Sequence, residues 1–236
     1  MMAGDSKDPL ESGLKYPKML TEINGKPMIE VVIDNLKSLF STKNRVIFVI
    51  RKDDNDKYYL GNIIKLIIPY ARVITIEKET SGAALTALLA IDSMDNSSSL
   101  LLVNGDQILD CNLQEILQEF NQKSVDSGVI TFKSVHPRWS YAKINDLGLV
   151  VEVAEKNPIS NNATAGFYYY KKTLEFIKYT KRMILKDAHV NGLFYICPVF
   201  NEMILDQKKI ATFEISVDKY HSLMSLDKIK QFESLS

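Results

Sequence analysis

The run Leu100-Leu101-Leu102-Val103-Asn104-Gly105-Asp106-Gln107 constrains the fold more than any other stretch of this chain. Four apolar residues followed by a turn pair and an acid read as a buried, parallel strand whose carboxyl end delivers Asp106 to the rim of a sheet. Ligands of open α/β sheets bind at that rim. Asp106 is therefore a candidate metal-coordinating carboxylate, because hard cations such as Mg²⁺ take one or two carboxylates plus substrate phosphates. The competing reading is a cap on the turn or on the helix that starts near Asn112.

Strand and helix alternate on both sides of this run. Met28, Val31, Val32, Leu36, Leu39 and Phe40 recur at helical spacing behind Pro27, which suits a first helical turn. Val46-Ile47-Phe48-Val49-Ile50 reads as a buried strand, and Tyr59 to Ile67 returns to helical period. Val73 to Ile76 is a short strand, and Thr80-Ser81-Gly82 precedes an Ala- and Leu-rich helix through about Met94. Such alternation argues for parallel pairing with helices on the sheet faces. Past the helix at Leu113 and the Gly128–Phe132 strand, the texture changes to short strands over 136–144, 149–155 and 165–170, an antiparallel extension. Helices over about 174–186 and 198–205, a strand from Ile210 and a helix capped by Ser225 close the chain.

Lys plus Arg and Asp plus Glu are equal at 29 each, so no net field draws the chain toward nucleic acid or acidic membranes, and a small-molecule partner is favoured. A chain of 236 residues suits one α/β domain with a substantial core. Cys111 and Cys197 form no metal-spacing motif, and His136, His189 and His221 are too scattered for a metal cluster. No apolar run approaches the roughly 18 residues of a membrane span, and no secretory signal opens the chain. A soluble, cytoplasmic protein is expected. Tyr168-Tyr169-Tyr170 either serves a partner copy, as in a homodimer, or alternates within a strand; alternation is the favoured reading.

Gly4, Lys18, Thr80 to Gly82 and Asp106 all fall at turns or helix starts that a parallel sheet would gather along one edge. Backbone amides at helix starts bind phosphate, and Lys18 beside Pro17 would add a point charge. The order of further motifs is informative: Met2-Ala3-Gly4, Pro17-Lys18, Asn24-Gly25-Lys26-Pro27-Met28-Ile29-Glu30, Thr80-Ser81-Gly82-Ala83-Ala84 and Asn104-Gly105-Asp106-Gln107. Trp139-Ser140-Tyr141-Ala142-Lys143, Val153-Ala154-Glu155-Lys156, Pro158-Ile159-Ser160, Ala163 to Tyr169 and Asn191 to Glu202 follow. Taken together, over nearly the whole chain, they resemble the sugar-phosphate nucleotidyltransferases of the GT-A-like fold, in particular a capsule- and lipopolysaccharide-locus subgroup.

The resemblance implies an α/β fold with a mixed, mainly parallel, Rossmann-like sheet flanked by helices and a small antiparallel extension. It implies a single domain over 1–236, with a nucleotide-binding half to about 133 and a sugar-binding half from about 134. The implied reaction joins a sugar-1-phosphate, or a similar phosphorylated small molecule, to a nucleoside triphosphate with release of pyrophosphate, for surface polysaccharide. Such chemistry depends mainly on positioning and charge neutralisation. By resemblance Asp106 would hold Mg²⁺, Lys18 would meet the triphosphate and Lys156 the sugar's phosphate. Ala3, Gly4, Lys7, Thr80, Gly82, Ala83 and Gly105 would border the nucleotide. Lys143, Glu155, Gly166, Asn191, Tyr195 and Glu202 would face the sugar. For Glu155 a strand-edge salt bridge is the alternative.

The pattern departs from the family at the N-terminal loop, where Ser6 and Asp8 stand for a glycine and an arginine. Two like charges about 4 Å apart are unfavourable by about 4 kcal/mol at an effective dielectric of 20, so Asp8 opposes a polyphosphate unless Lys7 substitutes. The C-terminal stretch Ser222 to Ile229 lacks the family's glycines and an aligned second metal-binding acid. The apolar strand expected before Met2 is absent, as a start codon placed too far downstream would explain. A non-catalytic relative that keeps the nucleotide or sugar cleft is thus the second hypothesis. A GT-A glycosyltransferase is the third, although its Asp-x-Asp sign is missing after Asp106. Replacing Asp8 by Arg is expected to raise turnover or nucleotide affinity, and a titration showing no gain in either overturns this alignment of the loop.

Overall fold

The computed structural model describes residues 16–235. Following a 3₁₀ turn at Lys18–Leu20 come β1 (Glu22–Ile23), β2 (Lys26–Pro27), α1 (Met28–Leu36), β3 (Ile47–Arg51), α2 (Lys52–Tyr58), α3 (Leu60–Ile67), β4 (Arg72–Ile76) and α4 (Ala83–Leu88). The chain continues through β5 (Leu100–Val103), β6 (Gln107–Leu109), α5 (Leu113–Gln122), β7 (Ser127–Lys133), β8 (Ser140–Ile144), β9 (Val150–Glu155) and β10 (Asn162–Tyr170). It ends with α6 (Thr173–Leu185), α7 (Val199–Leu205), β11 (Ile210–Glu214), β12 (Tyr220–Ser222) and α8 (Leu226–Glu233). These elements form two compact units, one from the chain up to Thr80 with Asn104–Leu113 and the residues from His221 onward, the other from Ser81–Val103 and Gln114–Tyr220. The α/β class with a mixed sheet holds.

In the first unit β3 and β4 pair in parallel, from Ile47 opposite Arg72 to Arg51 opposite Ile76. The apolar face of α1 (Met28, Ile29, Val32, Ile33) packs with Ile50, Leu60, Ile64, Leu223 and Ile229 in one buried core. Asn35 at the end of that helix clamps β6: its Nδ2 donates to the Leu109 carbonyl at 2.9 Å, and its Oδ1 accepts from the Leu109 amide at 3.1 Å. α8 starts where expected, with Ser225 Oγ accepting from the Lys228 amide. Helix α2 escapes the hydrophobic pattern because it buries no residue. Acids in its first turn and a Lys52–Asp56 ion pair one turn apart support it instead. Tyr59, at φ 56°, breaks it from α3, and the Asn55 side chain accepts from the Gly61 amide at 3.0 Å.

In the second unit the strands run β11–β7–β10–β8–β9, with β5 also on β10. The β11–β7 pair is parallel, whereas β10 is antiparallel to β7, β8 and β5, and β8 to β9. Among the described residues the Leu100 strand pairs antiparallel with the returning β10, where a parallel partner was expected: an apolar run signals burial without direction. All nine residues of β10 are buried. The tyrosines alternate. Tyr168 and Tyr170 lie against Phe200 of α7, with ring centroids 6.0 and 5.5 Å apart, and Tyr170 also meets Phe176 of α6 at 5.1 Å. Tyr169 stacks on Phe120 of α5 at 5.8 Å, and its hydroxyl donates to Asn121 at 2.7 Å. All three are therefore interior, so they offer no surface to a partner copy. Gly128 lies so close to the Phe120 ring that an added Cβ would meet it at 2.7 Å.

Phe200 is fully buried between these two tyrosines. Its replacement by Ala is expected to cost about 3–5 kcal/mol, to be read as a lower urea midpoint with an unchanged slope.

Candidate active site

In the first unit, residues 88 apart in sequence meet: Lys18 Nζ lies 2.8 Å from Asp106 Oδ2. Pro17 enters the Lys18–Leu20 turn extended and accepts from the Leu20 amide at 2.8 Å, which fixes the base of the lysine. Asp106 follows buried Gly105 in the turn between β5 and β6, and its carbonyl accepts from the Leu223 amide at 2.8 Å. Both side chains keep about a quarter of their surface, 28% and 25%, so the acid faces its cation rather than the apolar interior. Thr80, half-buried, ends this segment of the unit.

Among the described residues no group of three or more His, Cys, Asp or Glu is placed to hold a metal. A lone, partly exposed carboxylate fits a Mg²⁺ that arrives with a triphosphate, since that ion keeps waters and substrate oxygens as most of its ligands.

In the second unit Gly82 precedes α4 at φ 112°, and a Cβ there would fall 2.4 Å from the Phe194 carbonyl oxygen. The Phe194 amide donates to the Ser81 carbonyl at 2.8 Å, and the Phe194 carbonyl accepts from the Ala84 amide at 3.0 Å. The glycine is thus required by the backbone of Phe194, and one amide of the helix start is already engaged. Ala83 opens the helix, half-buried.

Glu155 ends β9, directly opposite Ser140 of β8. The Ser140 hydroxyl donates to Glu155 Oε2. Burial pushes the Glu155 carboxyl up, while the Ser140 bond and the Lys156 charge pull it back. Lys156 takes the left-handed conformation at φ 55°, and its amide donates to the Trp139 carbonyl at 3.0 Å. Its Nζ donates to the Tyr195 hydroxyl at 2.8 Å and lies 5.1 Å from that ring's centroid. The Tyr195 bond leads the causes that raise the Lys156 ammonium above its ordinary value. Glu155, Lys156 and Tyr195 therefore lie within one group.

The other expected sugar-facing residues have different surroundings. Glu202 is 5% exposed and ion-paired to Arg182 Nε at 2.9 Å and Lys186 Nζ at 2.8 Å, so it ties α7 to α6. Lys143 lies exposed on β8, 3.8 Å from Glu152 across the β8–β9 pair. Asn191, at φ 52°, and Gly192, at φ 76°, make the exposed turn between Val190 and Leu193. Gly166 is buried in β10, where the register against β7 shifts between Thr164 and Tyr168. Ala3, Gly4, Lys7 and Asp8 lie outside the described residues. Ser140 was not anticipated as a site residue, because its partnership with Glu155 requires the register of the β8–β9 hairpin.

This arrangement of sheet and helices is the fold of nucleotide-sugar pyrophosphorylases. The crystal structure of the nucleoside-diphosphate-sugar pyrophosphorylase from Vibrio cholerae RC9 matches with a TM-score of 0.86, over 99% of this chain and 98% of that one, at 22% identity. The model of the nucleotidyl transferase family matches residues 9–193, and the chain belongs to that family. It is 28% identical over 159 residues to the UTP--glucose-1-phosphate uridylyltransferase AglF of Haloferax volcanii, covering 65% of this chain and 63% of that one. It is 23% identical over 198 residues to the bifunctional protein GlmU of Pseudothermotoga lettingae, covering 79% of this chain and 40% of that one. The chain thus spans about two fifths to somewhat under two thirds of the length of these relatives.

A carboxyl whose folded pKa is raised stabilises the fold fully below its unfolded value, and that contribution is lost as pH rises through the folded one. Glu155→Gln removes this loss. The variant's stability relative to the parent is expected to grow as pH rises from 4 through the carboxylate range to 7, as followed by denaturation at each pH.

Proposed function

We propose that this protein joins a sugar-1-phosphate to a nucleoside triphosphate, releasing pyrophosphate and a nucleotide sugar. The observation that carries this reading is the Lys18–Asp106 pair, a cation and a carboxylate 2.8 Å apart within the stretch that matches the family. A sugar-phosphate oxygen attacks the α-phosphorus, and pyrophosphate leaves. A divalent cation such as Mg²⁺ would be held at Asp106 and would supply charge neutralisation there. Lys18 exchanges its carboxylate partner for phosphate oxygens as the triphosphate binds. Lys156, held by Tyr195, takes the phosphate of the sugar, and Glu155 takes hydroxyls of the sugar ring. By the family resemblance, Thr80, Gly82, Ala83 and Gly105, and from the sequence alone Ala3, Gly4 and Lys7, are proposed to contact the nucleotide.

The named activity of the Haloferax relative makes UTP and glucose 1-phosphate the first substrates to try. The cytoplasm, where nucleoside triphosphates are supplied, is the proposed location, and surface polysaccharide is the proposed destination of the product. Among the described residues no helix is long and apolar enough to cross a membrane. The acid at Asp8 favours one rival, a relative that binds these ligands without turning them over.

The test is pyrophosphate release with Mg²⁺ and a panel of triphosphates and sugar phosphates, beside calorimetric binding of each. Asp106→Ala is expected to lower release by about 10²–10³-fold, the scale on which lost transition-state electrostatics act. Binding without release in the parent protein would establish the non-catalytic relative instead.

A further inference from the structure

Glu155 sits within a compact polar group inside the second unit. Ser140 of β8 donates to it, and Lys156 follows it on the chain. Thr164 and Tyr168 of β10 approach each other at 3.4 Å, and Tyr168 and the Cys197 thiol before α7 both sense the Glu155 charge. Tyr168 and Cys197 are buried, and burial leads the causes that hold both far above their ordinary values, so neither carries charge at neutral pH. Lys156 is therefore the charged side chain beside Glu155 in this group, and its own ammonium is turned to Tyr195. The Ser140 hydroxyl is the contact that orients the carboxylate.

We infer that Ser140 is a positioning residue for sugar selection, holding the Glu155 carboxylate in one orientation so that it accepts from a hydroxyl of the sugar ring. Tyr195 does the same for the Lys156 ammonium and the phosphate. The division of labour follows from the backbone: the left-handed turn at Lys156 and its bond to Trp139 send consecutive side chains to separate braces, one on β8 and one on the segment leading to α7. A bound sugar phosphate thus meets two independently oriented groups. The inference rests on the reading of Glu155 and Lys156 as the sugar-phosphate site.

The experiment compares Ser140→Ala, Ser140→Thr and Glu155→Gln with the parent. Binding of inorganic phosphate and of glucose 1-phosphate, or of whichever sugar 1-phosphate the release assay selects, is measured calorimetrically from pH 5 to 8. Ser140→Ala is expected to weaken the sugar phosphate about tenfold, the consequence of one lost bond to a charged group, and to leave inorganic phosphate within about twofold. Removal of the Ser140 bond lets the Glu155 carboxyl rise further, so the acid-side loss of sugar-phosphate binding begins at higher pH than in the parent. Ser140→Thr, which keeps the hydroxyl, restores both. If Glu155→Gln weakens sugar-phosphate binding but Ser140→Ala changes neither affinity nor pH profile, the role of Ser140 is overturned and the site stands. If neither variant affects sugar-phosphate binding, the site reading falls as well.

Discussion

A strand buried along its whole length must find partners for both edges and cover for both faces, because an unpaired backbone group away from water costs about as much as a lost hydrogen bond. β10 meets this requirement by dividing its length. Its first part pairs with β7 and β8, and its second with β7 and β5. The register shift between Thr164 and Tyr168, with Gly166 inside it, marks the changeover. Tyr168 and Tyr170 then point to α6 and α7, and Tyr169 to α5. The position of β8, and through it of Ser140 and Glu155, follows from how this strand is satisfied.

The acids show how one residue type acquires different roles from its surroundings. Glu202 is nearly inaccessible and saturated by two cations, Arg182 and Lys186. Breaking such a pair leaves uncompensated charge, which is why it acts as a tie between helices. Among the described residues Asp106 pairs with Lys18 and keeps access to solvent. Glu155 is half-buried, with a hydroxyl as its donor and a lysine beside it that is directed elsewhere. An ionisable group held with so little compensation is the kind that functional sites keep.

The amphipathic faces of α1 and α3, the buried strands β3 and β7, and the Ser225 cap were all legible in the residue order. Each is a local matter of period, apolar content or capping chemistry. Lys18 and Asp106 were expected along one sheet edge, but that they meet as an ion pair was not read from the sequence. α2 was not visible, because a helix with no buried face leaves no apolar period. The antiparallel pairing of β5 with β10 was not visible for a related reason: hydrophobicity records how deep a strand lies and nothing of which neighbour it joins.

The amino-acid order by itself determined the α/β class, the family, and the identity of the charged residues at strand ends, because those depend on composition and spacing along the chain. The tertiary structure alone decided that Gly82 yields to the backbone of Phe194, that Glu202 ties two helices, and that Ser140 faces Glu155. Each of these is a contact between segments distant in sequence, and strand register and side-chain burial exist only once such segments have been packed together.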